Sequence, residues 1–219
     1  MWVDRARGKR RRLAGMREYL QSSWQRAWHG IGAVGDGLAW FEQLLACYRE
    51  PHRHYHTLQH LGECLAAFGE ARALAARPDE IELALWFHDA IYEVKRADNE
   101  ARSADWAREA LVEAGVDSGA AARVHALIMA TRHDAVPQDA DARLLVDVDL
   151  AILGAAPDRF AEYEAQIRSE YAFVPAWLFR HKRREILRGF QDRPRLYSTP
   201  HFHDRLEHRA RANLRHALS

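Results

Sequence analysis

Residues 82–92 read ELALWFHDAIY, and the eight that follow, EVKRADNE, are polar. Apart from Glu82 and the His88–Asp89 pair, the first stretch is apolar throughout. A charged pair that closes an apolar helix needs an explanation, because burying either group unpaired is costly. The pattern predicts a helix from about Asp79 to Tyr92. Outward from it, helical periodicity dominates nearly everywhere and strand-like alternation is almost absent.

Further helices are expected at about Leu13–Trp28, Asp36–Tyr48, Thr57–Ala76, Asn99–Ala114, Gly119–Thr131 and Asp139–Leu153. Three more are expected at Arg159–Tyr171, Pro175–Gln191 and His201–Leu218. The breaks obey helix chemistry: Pro51, Pro78, Pro137, Pro157, Pro175, Pro194 and Pro200 lie in gaps or first turns, and Gly115 closes a helix. The expected architecture is all-α, one helical domain over residues 13–219 behind a flexible basic tail over residues 1–12.

Composition narrows the function classes. The 219 residues are 48% hydrophobic and 29% charged, which suits one globular domain with a sizeable core. A formal net charge of +1 argues against a general nucleic-acid binder. Cys47 and Cys64 sit in apolar helical patterns without CxxC spacing, so no disulfide framework is expected and a reducing cytoplasm is the natural setting. No apolar run approaches the roughly 18 residues needed to span a bilayer, so no membrane partner is expected. The N-terminal MWVDRARGKRRR has no apolar stretch behind it and does not read as a secretory signal.

Thirteen histidines are the oddity, and four of them fall in PHRHYHTLQH at residues 51–60. His56 and His60 are four apart, so on a helix they share one face about 6 Å apart along the axis. His88 and Asp89 add a neutral nitrogen donor and a carboxylate. Asp147 and Asp149, in LLVDVDLAILG, put carboxylates into another apolar helix. A divalent cation would compensate such acids, and mixed imidazole and carboxylate donors suit zinc, iron or manganese. Asn99, Glu100 and His133 lie near these motifs and are candidates to touch a substrate. His125 is eight residues before His133, about 12 Å along a helix, so the two would not meet at one compact centre. The basic run around Arg180–Arg184 reads as a solvated helix face.

The order His, His-Asp, Asp on separate helices resembles the HD superfamily of metal-dependent phosphohydrolases, with WFHDAIY as the central dyad. YHTLQH is similar to the Tyr-His-Asn-x-x-His signature of cyclic-nucleotide phosphodiesterases, with Thr57 where Asn is usual. DVDLAILG resembles the final metal-binding helix. DNEARSA, IRSEYAFVP and RPRLYSTPHF resemble a small bacterial subgroup of the superfamily, so the likeness spans roughly residues 36–218.

The resemblance implies an HD-type, phosphodiesterase-like helical bundle. It also implies an enzyme that cleaves a phosphomonoester or phosphodiester of a nucleotide or similar small metabolite by metal-activated water. His60, His88, Asp89 and Asp149 would bind one or two divalent ions (Mn, Mg, Zn, Co or Fe), with Asp89 able to bridge two. Asp147 is the alternative last ligand, since residues i and i+2 point about 200° apart on a helix. His56 would be the general acid. Two other readings stay open: an HD-fold di-iron oxygenase drawing a ligand from His125 or His133, and a non-catalytic metal- or nucleotide-binding module. The amphipathic first helix, GMREYLQSSWQRAW, could cover the core or a partner chain, which leaves a homodimer open.

Overall fold

Proline and short polar caps mark where each helix starts. Pro78, Pro157 and Pro200 each open a helix, where a missing N–H costs nothing. Thr57, Asp117 and Asp139 cap three others, each side chain accepting a backbone N–H from the first turn. Gly115, at φ +78°, ends one helix in the left-handed conformation that glycine adopts without strain.

A computed structural model of the protein describes the backbone of residues 2–219 and the side chains of residues 15–219. The expectation of a flexible basic tail over residues 1–12 therefore falls outside the described side chains. Ten α-helices run along the chain: α1 (Trp2–Gly30), α2 (Leu38–Cys47), α3 (Leu58–Ala71), α4 (Pro78–Phe87) and α5 (Asn99–Glu113). They continue as α6 (Ser118–Ala130), α7 (Ala140–Asp149), α8 (Pro157–Glu170), α9 (Ala176–Gln191) and α10 (Pro200–Leu218). Short 3₁₀ turns follow α3 and α7. There is no strand among the described residues, and none of their helices is long and apolar enough to cross a membrane. The fold is all-α, as the periodicity predicts.

Helix α4 is the axis of the bundle. Ile81 and Leu83 to Phe87 are fully buried, and the helix packs on α1, α3, α5, α6 and α7. Its main aromatic neighbours come from α1: Trp24 stacks on Trp28 at 4.9 Å between ring centroids and meets Trp86 edge-on at 5.4 Å. The buried Glu82 carboxylate is tolerated because Ser23 Oγ donates to it at 2.6 Å and Arg26 pairs with it.

Helix ends depart from the expected ones in two places that matter. The segment expected to run to Tyr92 leaves the helix after Phe87, so His88 and Asp89 stand at its C-terminal end. The cause is Arg53, whose buried guanidinium donates to the carbonyls of Asp89 (2.5 Å) and Ala90 (2.9 Å) and holds the chain in a turn. The segment expected to run to Leu153 is α7 followed by a 3₁₀ turn, which makes Asp149 the last α-helical residue.

Truncating Trp24 to alanine should cost about 3–5 kcal/mol and lower the melting temperature by roughly 10 °C. Chemical and thermal denaturation of Trp24→Ala check this, and a loss below about 1 kcal/mol would contradict the packing described.

Candidate metal centre

Three helix termini converge on one point. His60 lies in the first turn of α3, which the Thr57 cap starts; His88 and Asp89 leave the end of α4; Asp149 ends α7. His60 Nε2 lies 3.2 Å from His88 Nε2, 3.4 Å from Asp89 Oδ2 and 3.3 Å from Asp149 Oδ1. His88 Nε2 lies 3.1 Å from Asp89 Oδ2 and 3.6 Å from Asp149 Oδ1.

These separations match the edges of a coordination shell. Donors about 2.1 Å from a cation lie about 3.0 Å apart in an octahedral shell and about 3.4 Å apart in a tetrahedral one. Ring tautomers agree with that fit. His88 Nδ1 donates to the Leu85 carbonyl at 2.8 Å, which leaves the Nε2 lone pair facing the other donors.

The electrostatics are compatible with a cation. Burial opposes charge on His60, but Cys64, Tyr55 and the carboxylates of Asp149 and Asp89 outweigh it and hold the ring well above its usual range. Burial likewise opposes charge on His88, and Asp89, Tyr48 and Asp149 overcome it. Asp89 and Asp149 are correspondingly held well below the usual carboxylate range, against burial, by the imidazoles around them. In the absence of metal, protons on the two rings balance the two acids. A divalent cation can replace those protons.

Cys64 is a donor that the sequence reading left in the apolar pattern. It follows His60 by one helical turn, with Sγ 3.6 Å from His60 Nδ1. One donor atom each from His60, Cys64, His88 and Asp149 lie within 4.8 Å of one another, a buried group that could hold a metal ion. The i, i+4 spacing from His60 was the available signal.

Asp147 faces elsewhere. Its Oδ1 accepts from Ser198 N at 2.8 Å, and its Oδ2 accepts from Thr199 N and Thr199 Oγ1 at 2.7 and 2.6 Å. It anchors the start of α10 and is fully buried. Burial pushes its carboxyl up despite those bonds.

The centre forms the floor of a cavity of about 580 Å³ that also exposes His56, Tyr92, Asn99, Glu100 and His133. His56 Nδ1 donates to Glu170 Oε2 at 2.8 Å, so its Nε2 is left for the cavity. Glu170, the last residue of α8, was not singled out in the sequence. Its other oxygen accepts the backbone N–H groups of His54, Tyr55 and His56, and Tyr92 donates its hydroxyl to Oε2. Burial disfavours its charge, but His56 and these N–H donors hold its carboxyl down at about 2.

His133 Nε2 lies 3.0 Å from Asp149 Oδ2. It is the one non-glycine described residue at positive φ, 56°, a conformation that costs about 1–2 kcal/mol. His133 Nδ1 and the Tyr55 hydroxyl are buried without partners. Asn99 bonds the Glu93 backbone at both ends of its amide, at 3.1 and 3.0 Å. His125 pairs with Asp105 and does not line the cavity.

No protein-family model, curated protein or solved structure matches this chain.

Glu170 generates a pH prediction. A carboxyl depressed from 4.5 to about 2 stabilises the folded state above pH 4.5, and that stability is lost as pH falls toward 2. Glu170→Gln should therefore cost about 3 kcal/mol at pH 7, and its deficit relative to wild type should shrink below pH 4.5. Urea denaturation of both proteins from pH 7 to pH 3 reads this; a deficit independent of pH would contradict it.

Proposed function

We propose that the protein is a metal-dependent phosphohydrolase of HD type, cleaving a phosphomonoester or phosphodiester of a small metabolite, nucleotides included. The observation that supports this reading is the convergence of His60, His88, Asp89 and Asp149 on a cavity floor beside His56. The ordered resemblance to the HD superfamily points the same way. A divalent cation held by those four residues would supply Lewis acidity at phosphorus-bound oxygen and lower the pKa of water into the neutral range.

The chain's own groups then divide the remaining work. His56, fixed by the Glu170 carboxylate at Nδ1, presents Nε2 to the cavity and delivers a proton to the leaving oxygen. Tyr92 stacks on His56 at 4.0 Å between centroids and limits its rotation. His133 holds Asp149 at Oδ2.

The oxygenase reading has one observation in its favour: His133 brings a third imidazole next to Asp149. Iron as the resident metal would move weight to it.

Phosphate release from a panel of phosphomonoesters and phosphodiesters, with Mg²⁺, Mn²⁺, Co²⁺ or Zn²⁺ added, tests the proposal. Wild type should turn over at least one class. Asp89→Ala should abolish turnover with helical circular dichroism unchanged. His56→Ala should lose about 100- to 10,000-fold in kcat while retaining metal. A panel silent with every ion would overturn the hydrolase, and full turnover by Asp89→Ala would overturn the site.

A further inference from the structure

The cavity changes character with distance from its floor. Two residues beside the candidate metal-binding group, Tyr55 and His133, line it while each keeps a buried polar atom without a partner. Another wall comes from α9, where Leu178, Phe179, Ile186 and Phe190 recur at helical spacing with Lys182 and Arg183 between them, joined by Val174 and Ile167. Leu187 is the one fully buried residue of α9; Phe179 and Phe190 pack partly on the core while also lining the cavity.

Polar side chains on those walls are already engaged within the protein. Asn99 uses its carbonyl and its amide on Glu93, and Thr131 Oγ1 donates to the Ile128 carbonyl. Arg96 makes two bonds to Asp98, Lys182 pairs with Glu185 at 2.8 Å, and Arg183 pairs with Glu164 while lying over Tyr163. A base or ribose brings donors and acceptors that lose water on entering such a cavity, and each one left unpaired costs about 1–3 kcal/mol. Glu100 and the hydroxyls of Tyr163 and Tyr171 make no such bond, but these three groups are too few to pair the donors and acceptors of a base and a ribose together.

Exposed apolar side chains adjoin that wall. Ile186, which lines the cavity, is 52% exposed, and Phe173 and Trp177, sequence neighbours of the lining residues Val174 and Leu178, are 56% and 68% exposed. Side chains of that size in water beside the cavity fit a substrate that carries hydrocarbon.

We infer that the substrate is a phosphate ester of an apolar chain, an alkyl, acyl or prenyl phosphate, with its head group on the metal floor and its tail along α9. The inference rests on the phosphohydrolase reading for the head group. The apolar wall stands independently of it.

Isothermal titration of the full-length protein with saturating Mn²⁺ tests it, using n-butyl, n-hexyl and n-octyl phosphate below their aggregation limits, with adenosine 5′-monophosphate as comparator. The dissociation constant should fall about three- to four-fold per methylene, about 100-fold from butyl to octyl, and octyl phosphate should bind more tightly than the nucleotide. Ile186→Ser and Phe179→Ser should each flatten that dependence; Ile186 is half-exposed, so its replacement does not open the core. Affinity independent of chain length, or tighter binding of the nucleotide, would overturn the inference. Phosphate release in the same mixtures separates the two readings. Chain-length-dependent binding with no release would support the apolar pocket and overturn hydrolysis. Equal release from every ester, the nucleotide included, would support hydrolysis and overturn the apolar substrate.

Discussion

Two carboxylates, each within about 3.6 Å of two imidazoles and all largely out of water, are the constraint around which the structure is arranged. Such a group is costly unless its charges balance. The balance has to come from protons on the rings or from a cation that replaces them. The fold places all four residues at helix ends, where backbone and side chain can be aimed independently of helical periodicity. The His88 ring is turned by the Leu85 carbonyl, and Asp149 is steadied by His133.

The supporting structure follows from that arrangement. Arg53 takes up the carbonyls of Asp89 and Ala90 just beyond the end of α4 and so fixes the position of Asp89. Glu170 collects three backbone N–H groups and the His56 ring, joining the segment before α3 to the end of α8. One carboxylate thereby shapes the loop and orients the proposed acid. Beyond it α9 lines the cavity with Leu178, Phe179, Ile186 and Phe190 together with the paired Lys182 and Arg183, and carries Arg180, Arg184 and Arg188 in water.

Much of this was legible in the sequence because it is local. Prolines and caps punctuate ten helical segments, and the four central donors stand out as polar residues in apolar surroundings. What could not be read is non-local. The end of α4 depends on Arg53, 36 residues away from Asp89, and the partnership of Glu170 with His56 spans 114 residues. Asp147 and Asp149 look equivalent in DVDLAILG; the difference lies in Ser198 and Thr199, which occupy Asp147 from the start of α10. Cys64 was hidden by its residue type, since a cysteine in an apolar helix usually packs as a small hydrophobe.

The central claim is that His60, His88, Asp89 and Asp149 together hold a metal ion. Elemental analysis of untagged protein purified without chelator tests it most directly, with Asp149→Ala and Asp147→Ala prepared in parallel. Wild type should carry near-stoichiometric transition metal, Asp149→Ala should lose it, and Asp147→Ala should keep it while melting at a lower temperature. Wild type that stays metal-free after incubation with Mn²⁺ or Zn²⁺, or Asp149→Ala with its full complement, would contradict the account.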